Sequence, residues 1–198
     1  MIFQYILLAI AYLIGSIPFS IIFGKLIKGI DVRKHGSGNP GGTNSLRFLG
    51  KKVGALIIFF DVLKGAIIVL LVRFEVFGDI PLLHELAYGL AASFGHAFSP
   101  FIKFKGGKAV GTTAGAYAAY NLYYVLIGLV VFLIVLKSTK FVSVGSTSIA
   151  ILIVIVALIV QDFHMLFYGS LTMILIIYRH KTNYKNILNK IEPKVTWI

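Results

Sequence analysis

An all-α, polytopic integral membrane protein is the fold class this sequence predicts. Hydrophobic residues make up 58% of the 198 positions, against roughly 45–50% in a soluble domain, and the mean hydropathy is +0.91. The apolar residues also lie in long runs, among them Ile2 to Ile14, Val53 to Leu71, Leu122 to Leu136 and Ile149 to Val160. A water-soluble core of this size cannot bury them all, so lipid is the solvent for much of the surface. The expectation is a single transmembrane domain over residues 1–198.

A helical span needs about 20 apolar residues, which places spans near residues 2–24, 54–73 and 82–102. The stretch from Lys105 to Lys137 would make one helix about 48 Å long at 1.5 Å per residue, so it reads as two helices with a turn near Tyr120-Asn121. The run from Val142 to Tyr178 divides at Gln161-Asp162-Phe163-His164, its only polar break. The count is about seven helices, some slightly short for a full crossing.

Charge placement orients them. The net charge is +12, and apart from Lys64 and Arg73 the basic residues sit in four groups: Lys25 to Lys52, Lys103 to Lys108, Lys137 with Lys140, and Arg179 to Lys194. With all four in the cytoplasm, the positive-inside rule accounts for the surplus, the amino terminus is outside and the carboxyl terminus cytoplasmic. No nucleic-acid partner is then required. The outer loops carry Glu75, Asp79 and Glu85 and little else, so chemistry belongs on the inner side. The first apolar run lacks a preceding basic region and a small-residue cleavage site, and reads as a retained span. Absence of cysteine excludes disulfides, thiolate metal sites and a cysteine acyl-enzyme.

The first inner loop runs Gly36-Ser37-Gly38-Asn39-Pro40-Gly41-Gly42-Thr43-Asn44-Ser45-Leu46-Arg47. It matches G-x-G-x-x-G in form, but no strand precedes it, which excludes a dinucleotide fold. Glycines let backbone N–H groups turn inward, and Ser37, Asn39, Thr43 and Asn44 add donors for phosphate oxygens. Arg47 is suited to grip two oxygens at once. A flexible, solvated loop explains the glycines equally; the density of donors beside a membrane favours anion binding.

The second inner loop contains His96, Phe98, Phe101, Phe104 and Gly106-Gly107-Lys108-Ala109. Ala109 stands where a Walker A loop needs Ser or Thr for Mg²⁺, and the upstream glycine is missing, so ATP hydrolysis is excluded. What remains is Gly106-Gly107-Lys108 opening a helix, a position that attracts anions; two glycines that merely end one helix and begin the next are the alternative. The histidine–aspartate dyad of glycerolipid acyltransferases with soluble donors is absent, because Phe101 occupies the second position. The five histidines show no metal-ligand spacing, and no metal is assigned. Asp61 and Lys64 fall on one helical face inside a span, read as an internal ion pair that holds the bundle together in preference to the alternative of direct catalysis. Ser143, Ser146, Thr147 and Ser148 offer hydroxyls near a further inner turn, or simply pack.

Taken in series, Ala11 to Pro18, Ser37-Gly38-Asn39 through Arg47, Asp61 to Gly65, Gly95-His96, Gly106-Gly107-Lys108, and His180 with Asn183 and Glu192 resemble the motifs of the bacterial PlsY family. These are the acyl-phosphate:glycerol-3-phosphate acyltransferases, and the likeness covers nearly the whole chain. The resemblance implies an enzyme of the bacterial cytoplasmic membrane that forms lysophosphatidic acid and inorganic phosphate from acyl phosphate and glycerol 3-phosphate, without cofactor. It implies that Ser37 and Arg47 are essential, that the glycines around Lys108 bind phosphate, that His180 and Asn183 serve activity and that Glu192 supports structure. Together with the residue chemistry, this gives Ser37, Arg47, Lys108, His180 and Asn183 as the expected catalytic set. Gly38, Asn39, Thr43, Asn44, His96, Gly106, Gly107 and Ser143 are the expected substrate contacts, and Asp61, Lys64 and Glu192 the structural polar residues. Ala109 and Gly111 exchange the small residues usual in the family, Asn186 replaces an arginine and Lys190 stands where glycine is common. Two rival readings exist: an organic-phosphate transporter, and a metal-dependent alcohol phosphotransferase, for which only Asp61 lies well inside a span.

Overall fold

A computed structural model describes residues 2–78 and 82–195; Asp79, assigned to an outer loop, lies outside them. The described residues form helices and turns with no strand, in ten α-helices. The chain divides into two compact units, Met1–Tyr120 and Asn121–Ile198.

In the first unit, α1 (Ile2–Ser16) and α2 (Phe19–Lys28) replace the continuous span expected over 2–24. Pro18 has no N–H to donate and its ring crowds the preceding turn, so the helix breaks at Ile17-Pro18. Gly29 takes a left-handed φ of 65° to close α2, the conformation glycine adopts without penalty. The seven-residue α3 (Gly42–Phe48) lies in the first polar loop, and α4 (Lys51–Arg73) follows as an unbroken 23-residue helix, about 35 Å long.

The third expected span is shorter than its apolar run. Helix α5 occupies Glu85–Ala97, and a single 3₁₀ turn at Pro100–Ile102 follows. His84 caps it, accepting from the Leu86 N–H at 3.3 Å, and Pro100 prevents its continuation past Ser99. Helix α6 (Val110–Tyr120) completes the unit.

Helices in lipid gain little from burying apolar surface and instead associate through close backbone packing at small residues. Here α4 and α6 place glycine reciprocally. A Cβ on Gly65 would meet the Thr112 carbonyl oxygen at 1.9 Å, and one on Gly115 would meet the Val62 carbonyl oxygen at 1.9 Å. The same device joins α1 to α5, where Gly15 lies against the Ala92 carbonyl. A cluster of Leu7, Ala11, Ile68, Val69, Val72, Tyr88 and Ala116 fills the space among these helices.

The second unit contains α7 (Leu122–Thr139), α8 (Val142–Ile159), α9 (Phe163–Arg179) and α10 (Lys181–Leu188). Its breaks fall where the polar residues predict them. Asn121 caps α7 by accepting from Tyr123 N–H at 3.0 Å, and Asp162 caps α9 by accepting from Met165 N–H at 2.9 Å, as short polar side chains do at helix starts. Among the described residues, four helical segments are long and apolar enough to cross a membrane: Ile2–Lys28 taken through its break, Lys51–Arg73, Leu122–Thr139 and Val142–Ile159. On α7 the side chains of Leu126, Ile127, Leu129, Val130, Leu133 and Ile134 stand exposed, an arrangement suited to hydrocarbon rather than water.

Candidate active site

The first loop is built around one asparagine. Asn44 is buried on the inner side of α3, where its Nδ2 donates to the carbonyls of Val32 and His35, both at 3.0 Å. Its Oδ1 accepts from the Ser37 N–H at 3.3 Å. Asn44 was expected among the substrate contacts, but both donor hydrogens are taken up in folding residues 32–37 into a turn. Gly36 must be glycine there, since φ is 58° and a Cβ would lie 2.5 Å from the Asn44 Oδ1. The Gly38 N–H likewise donates to His35 at 3.1 Å, so its part is in the turn.

The loop is anchored below by Ser20, whose buried hydroxyl donates to the Pro40 carbonyl at 3.0 Å. Its solvent side presents Ser37, Thr43 and Arg47, all exposed. Ser37 Oγ accepts the Asn39 N–H at 3.4 Å. Arg47, by contrast, has no hydrogen-bond or ion-pair partner among the described residues. Five donors held on a short helix with no internal acceptor are ready for an external anion. Upstream, Asp31 is paired with Arg33 at 2.6 Å, and the Arg33 side-chain hydrogen bond draws the Asp31 carboxyl from 3.8 down to about 2. The same bond raises the Arg33 guanidinium.

The second loop hangs from the broken first span. Tyr12 donates its hydroxyl hydrogen to the Phe98 carbonyl at 2.6 Å, and Ser99 donates to the Ser16 carbonyl at 2.6 Å. Phe101 and Phe104 stand 60% and 61% exposed, flanked by Lys103 and Lys105. The chain then doubles back. Gly106 N–H donates to the Ala97 carbonyl at 3.2 Å and Gly107 N–H to the His96 carbonyl at 3.0 Å. These glycines are present for closeness: a Cβ on Gly106 would lie 2.0 Å from the His96 oxygen, and one on Gly107 2.0 Å from His96 Nε2. Their N–H groups are therefore engaged with the chain itself. Lys108 emerges half-buried directly after them. Ala109 follows with φ of 60°, a left-handed conformation that costs a residue with a Cβ about 1–2 kcal/mol.

Between the loops lies the buried polar group of the unit. Asp61 Oδ1 is 2.7 Å from Lys64 Nζ and 3.5 Å from His96 Nδ1. Lys64 also donates to the Ile17 carbonyl at 2.9 Å, the acceptor at the helix break. The predicted ion pair is thus present, and its lysine helps to satisfy a carbonyl at the helix break, the condition for irregular chain at membrane depth. His96, expected as a substrate contact, is buried between Asp61 and Gly107. A cavity of about 10 Å³, bordered by Ser16, Asp61, Lys64, His96 and Ser99 among others, is the least that holds a water.

The second unit carries its own polar cluster. His180 is buried where α9 meets α10, with Nδ1 2.8 Å from the Ile176 carbonyl. A carbonyl only accepts, so Nδ1 carries the hydrogen. Asn183 Nδ2 donates to Glu192 Oε1 at 2.6 Å, and Asn186 Nδ2 to Oε2 at 3.3 Å. Glu192 is accordingly the tie between α10 and the tail, and Asn186 supplies a second strand of it. The Ser143 hydroxyl, in the first turn of α8, is buried with no hydrogen-bond partner among the described residues. Thr147, one turn on, contacts the Tyr184 hydroxyl.

Tyr12, Ser16, Ser20 and Ser99, which tie both loops of the first unit in place, were missed in the sequence. Their signal was available as hydroxyls flanking a proline inside an apolar run. Among the described residues, no group of three His, Asp or Glu is arranged to hold a metal ion.

Comparison with known proteins agrees over the whole length. The family model for glycerol-3-phosphate acyltransferase matches residues 5–190. The glycerol-3-phosphate acyltransferase of Bacillus subtilis (strain 168) is 47% identical, over 98% of both chains. Glycerol-3-phosphate acyltransferase 3 of Bacillus anthracis is 43% identical over 100% of this chain and 98% of its own. Two crystal structures of PlsY, an integral membrane glycerol 3-phosphate acyltransferase, superpose with TM-scores of 0.90 and 0.87. They are 36% and 35% identical, cover 98% of this chain, are themselves covered to 96% and 95%, and represent a glycerol 3-phosphate form and a lysophosphatidic acid form respectively.

Proposed function

The chain belongs to the glycerol-3-phosphate acyltransferase family, and from that premise we propose that it acylates glycerol 3-phosphate with acyl phosphate as the donor. It is an integral membrane acyltransferase of phospholipid synthesis. The products are 1-acyl-glycerol 3-phosphate and inorganic phosphate. The observation that carries this reading is Arg47, a guanidinium without a partner among the described residues, on a rigidly tied loop. Lys108, on the second loop of the same unit, is the other cation the reading uses.

Acyl phosphate is an activated mixed anhydride, so a covalent acyl-enzyme is unnecessary. The glycerol hydroxyl oxygen bonds to the acyl carbon, the bond from that carbon to the phosphate oxygen breaks, and phosphate departs with its electrons. The protein aligns the hydroxyl and neutralises two phosphorylated reactants. Arg47 and Lys108 supply the charge, with Ser37, Thr43 and Asn39 as neutral donors of the first loop. The hydroxyl proton goes to His180 or to the leaving phosphate; full rate in His180→Gln assigns it to the phosphate. His180 and Asn183 enter through their motifs' resemblance to the family, and Ser143 as a hydroxyl near an inner turn. The acyl chain lies against Phe98, Phe101 and Phe104.

The enzyme works at the cytoplasmic face of the bacterial inner membrane with about seven spans and the amino terminus outside, supported by the four basic groups. The chain lacks cysteine, so Lys105→Cys and Phe74→Cys give single reporters. The first should label only from the cytoplasm and the second only from outside.

The deciding experiment gives purified protein labelled glycerol 3-phosphate with acyl phosphate, acyl-CoA or acyl carrier protein. Product from acyl phosphate alone is expected. Product from either thioester, in the absence of acyl phosphate, overturns the donor assignment.

A further inference from the structure

Three ionisable side chains in the first unit meet at one point, and each reaches a different segment. Asp61 is at the centre, on α4. Lys64 extends to the Ile17 carbonyl at 2.9 Å, the break from which α2 departs toward the first loop, where Ser20 holds Pro40. His96 presents Nδ1 to Asp61 at 3.5 Å, while its Nε2 occupies the space that a side chain on Gly107 would need. The residue after Gly107 is Lys108.

An ion pair serving only to join helices has no reason to lie at this junction. Replacing a buried pair by apolar residues of similar size is often neutral or stabilising, and the reciprocal glycines already join α4 to α6. Retention of charge is better explained by what it orients. The Gly107 N–H holds the His96 carbonyl at 3.0 Å as the imidazole fills the seat beneath the same glycine. Ala109, fixed in a left-handed conformation beyond Lys108, closes the segment on its other side.

We propose that Asp61, Lys64 and His96 act together as positioning residues for Lys108, setting the cation of the second loop against a fixed point on the broken first span. This rests on the reading of Lys108 as a phosphate-neutralising residue. His96 accordingly touches the loop, not the substrate.

The test is a double-mutant cycle. Wild type, His96→Phe, Lys108→Ala and the double variant are compared for kcat, for KM toward glycerol 3-phosphate and for calorimetric affinity for glycerol 3-phosphate. His96→Phe keeps an aromatic ring in the seat, somewhat larger than imidazole, and loses the contact with Asp61. It should raise KM and weaken calorimetric binding at least tenfold while kcat falls much less. In the Lys108→Ala background the same change should add less than about twofold, because a residue acting through another has no effect once that other is gone. Multiplicative losses, or unchanged KM and affinity in His96→Phe, overturn the proposal. Should His96→Phe fail to fold, the paired change Asp61→Leu with Lys64→Met removes both charges at once and must show the same non-additivity with Lys108→Ala. A wild type that makes no product from acyl phosphate defeats the donor assignment alone, and the calorimetric cycle still judges the positioning role.

Discussion

Gly115→Ala and Gly111→Ala, one turn apart on α6, should have opposite effects. At Gly115 the added Cβ would stand 1.9 Å from the Val62 carbonyl oxygen, whereas ordinary contact begins at 3.4 Å. The helices must therefore part by about 1.5 Å (3.4 − 1.9) along that line, and a gap of even 0.5–1 Å forfeits a quarter to a half of each dispersion contact. Overpacking of this kind costs about 1–3 kcal/mol, and a backbone obstacle that no rotamer relieves belongs at the upper end. At Gly111 the new Cβ would lie 3.5 Å from the Asp61 Cβ, within ordinary contact, and Ala gains up to about 1 kcal/mol over Gly in a helix. By the usual proportion of about 2–4 °C per kcal/mol for a chain of this size, detergent-solubilised Gly115→Ala should melt about 6–12 °C below wild type. Gly111→Ala should melt at or slightly above it. Circular dichroism at the helix band reads both, and equal shifts would refute the claim that glycine contact sets the α4–α6 distance.

Arg47→Ala removes an exposed side chain with no partner among the described residues, so the melting temperature should stay put while kcat/KM falls at least about a hundredfold, the scale for losing one preorganised charge donor. Asn44→Ala strands two carbonyls and removes three hydrogen bonds, a local cost of about 1–3 kcal/mol. Trypsin should then cut near Arg33-Lys34 much faster, and activity should drop with little change in global melting. The Asp31 carboxyl, held at about 2 rather than 3.8, lends the loop stability that is complete above pH 4 and is lost as pH falls from 4 toward 2. Being an exposed pair it is worth under about 1 kcal/mol, so protease protection of the loop should be flat from pH 5 to 8 and weaken only below pH 4.

The sequence announces its breaks unevenly, for a physical reason. Asn121 and Asp162 interrupt apolar runs with side chains that prefer to cap a helix, so hydropathy and capping chemistry point to one place. Pro18 interrupts a long apolar run between Ile17 and Phe19, where the single hydroxyls of Ser16 and Ser20 barely lower the hydropathy. A search for apolar length passes over it, although the missing N–H and the ring clash end the helix just as surely. For the same reason the third apolar run is longer than its helix, since Leu82, Leu83 and Phe101 are apolar but lie outside α5.

At the proposed site, residue type names the candidate donors, and folding decides which of them remain available. Ser37, Thr43, Asn39 and Asn44 look equivalent along the chain. Asn44 alone falls on the buried side of α3, close to carbonyls that a turn would otherwise leave unsatisfied, and in a buried setting that demand outranks any ligand. Glycine is ambiguous in the same way. Gly106 and Gly107 read as a phosphate cradle, yet they are required because His96 and Ala97 leave no room for a side chain, and their N–H groups close the loop. On the proposed reading the anion then rests on charged side chains placed by a stiff frame, with Ser37, Thr43 and Asn39 as the neutral donors left to it. Removing Arg47 should accordingly cost more activity than any single glycine-to-alanine change in the first loop that leaves its turn intact.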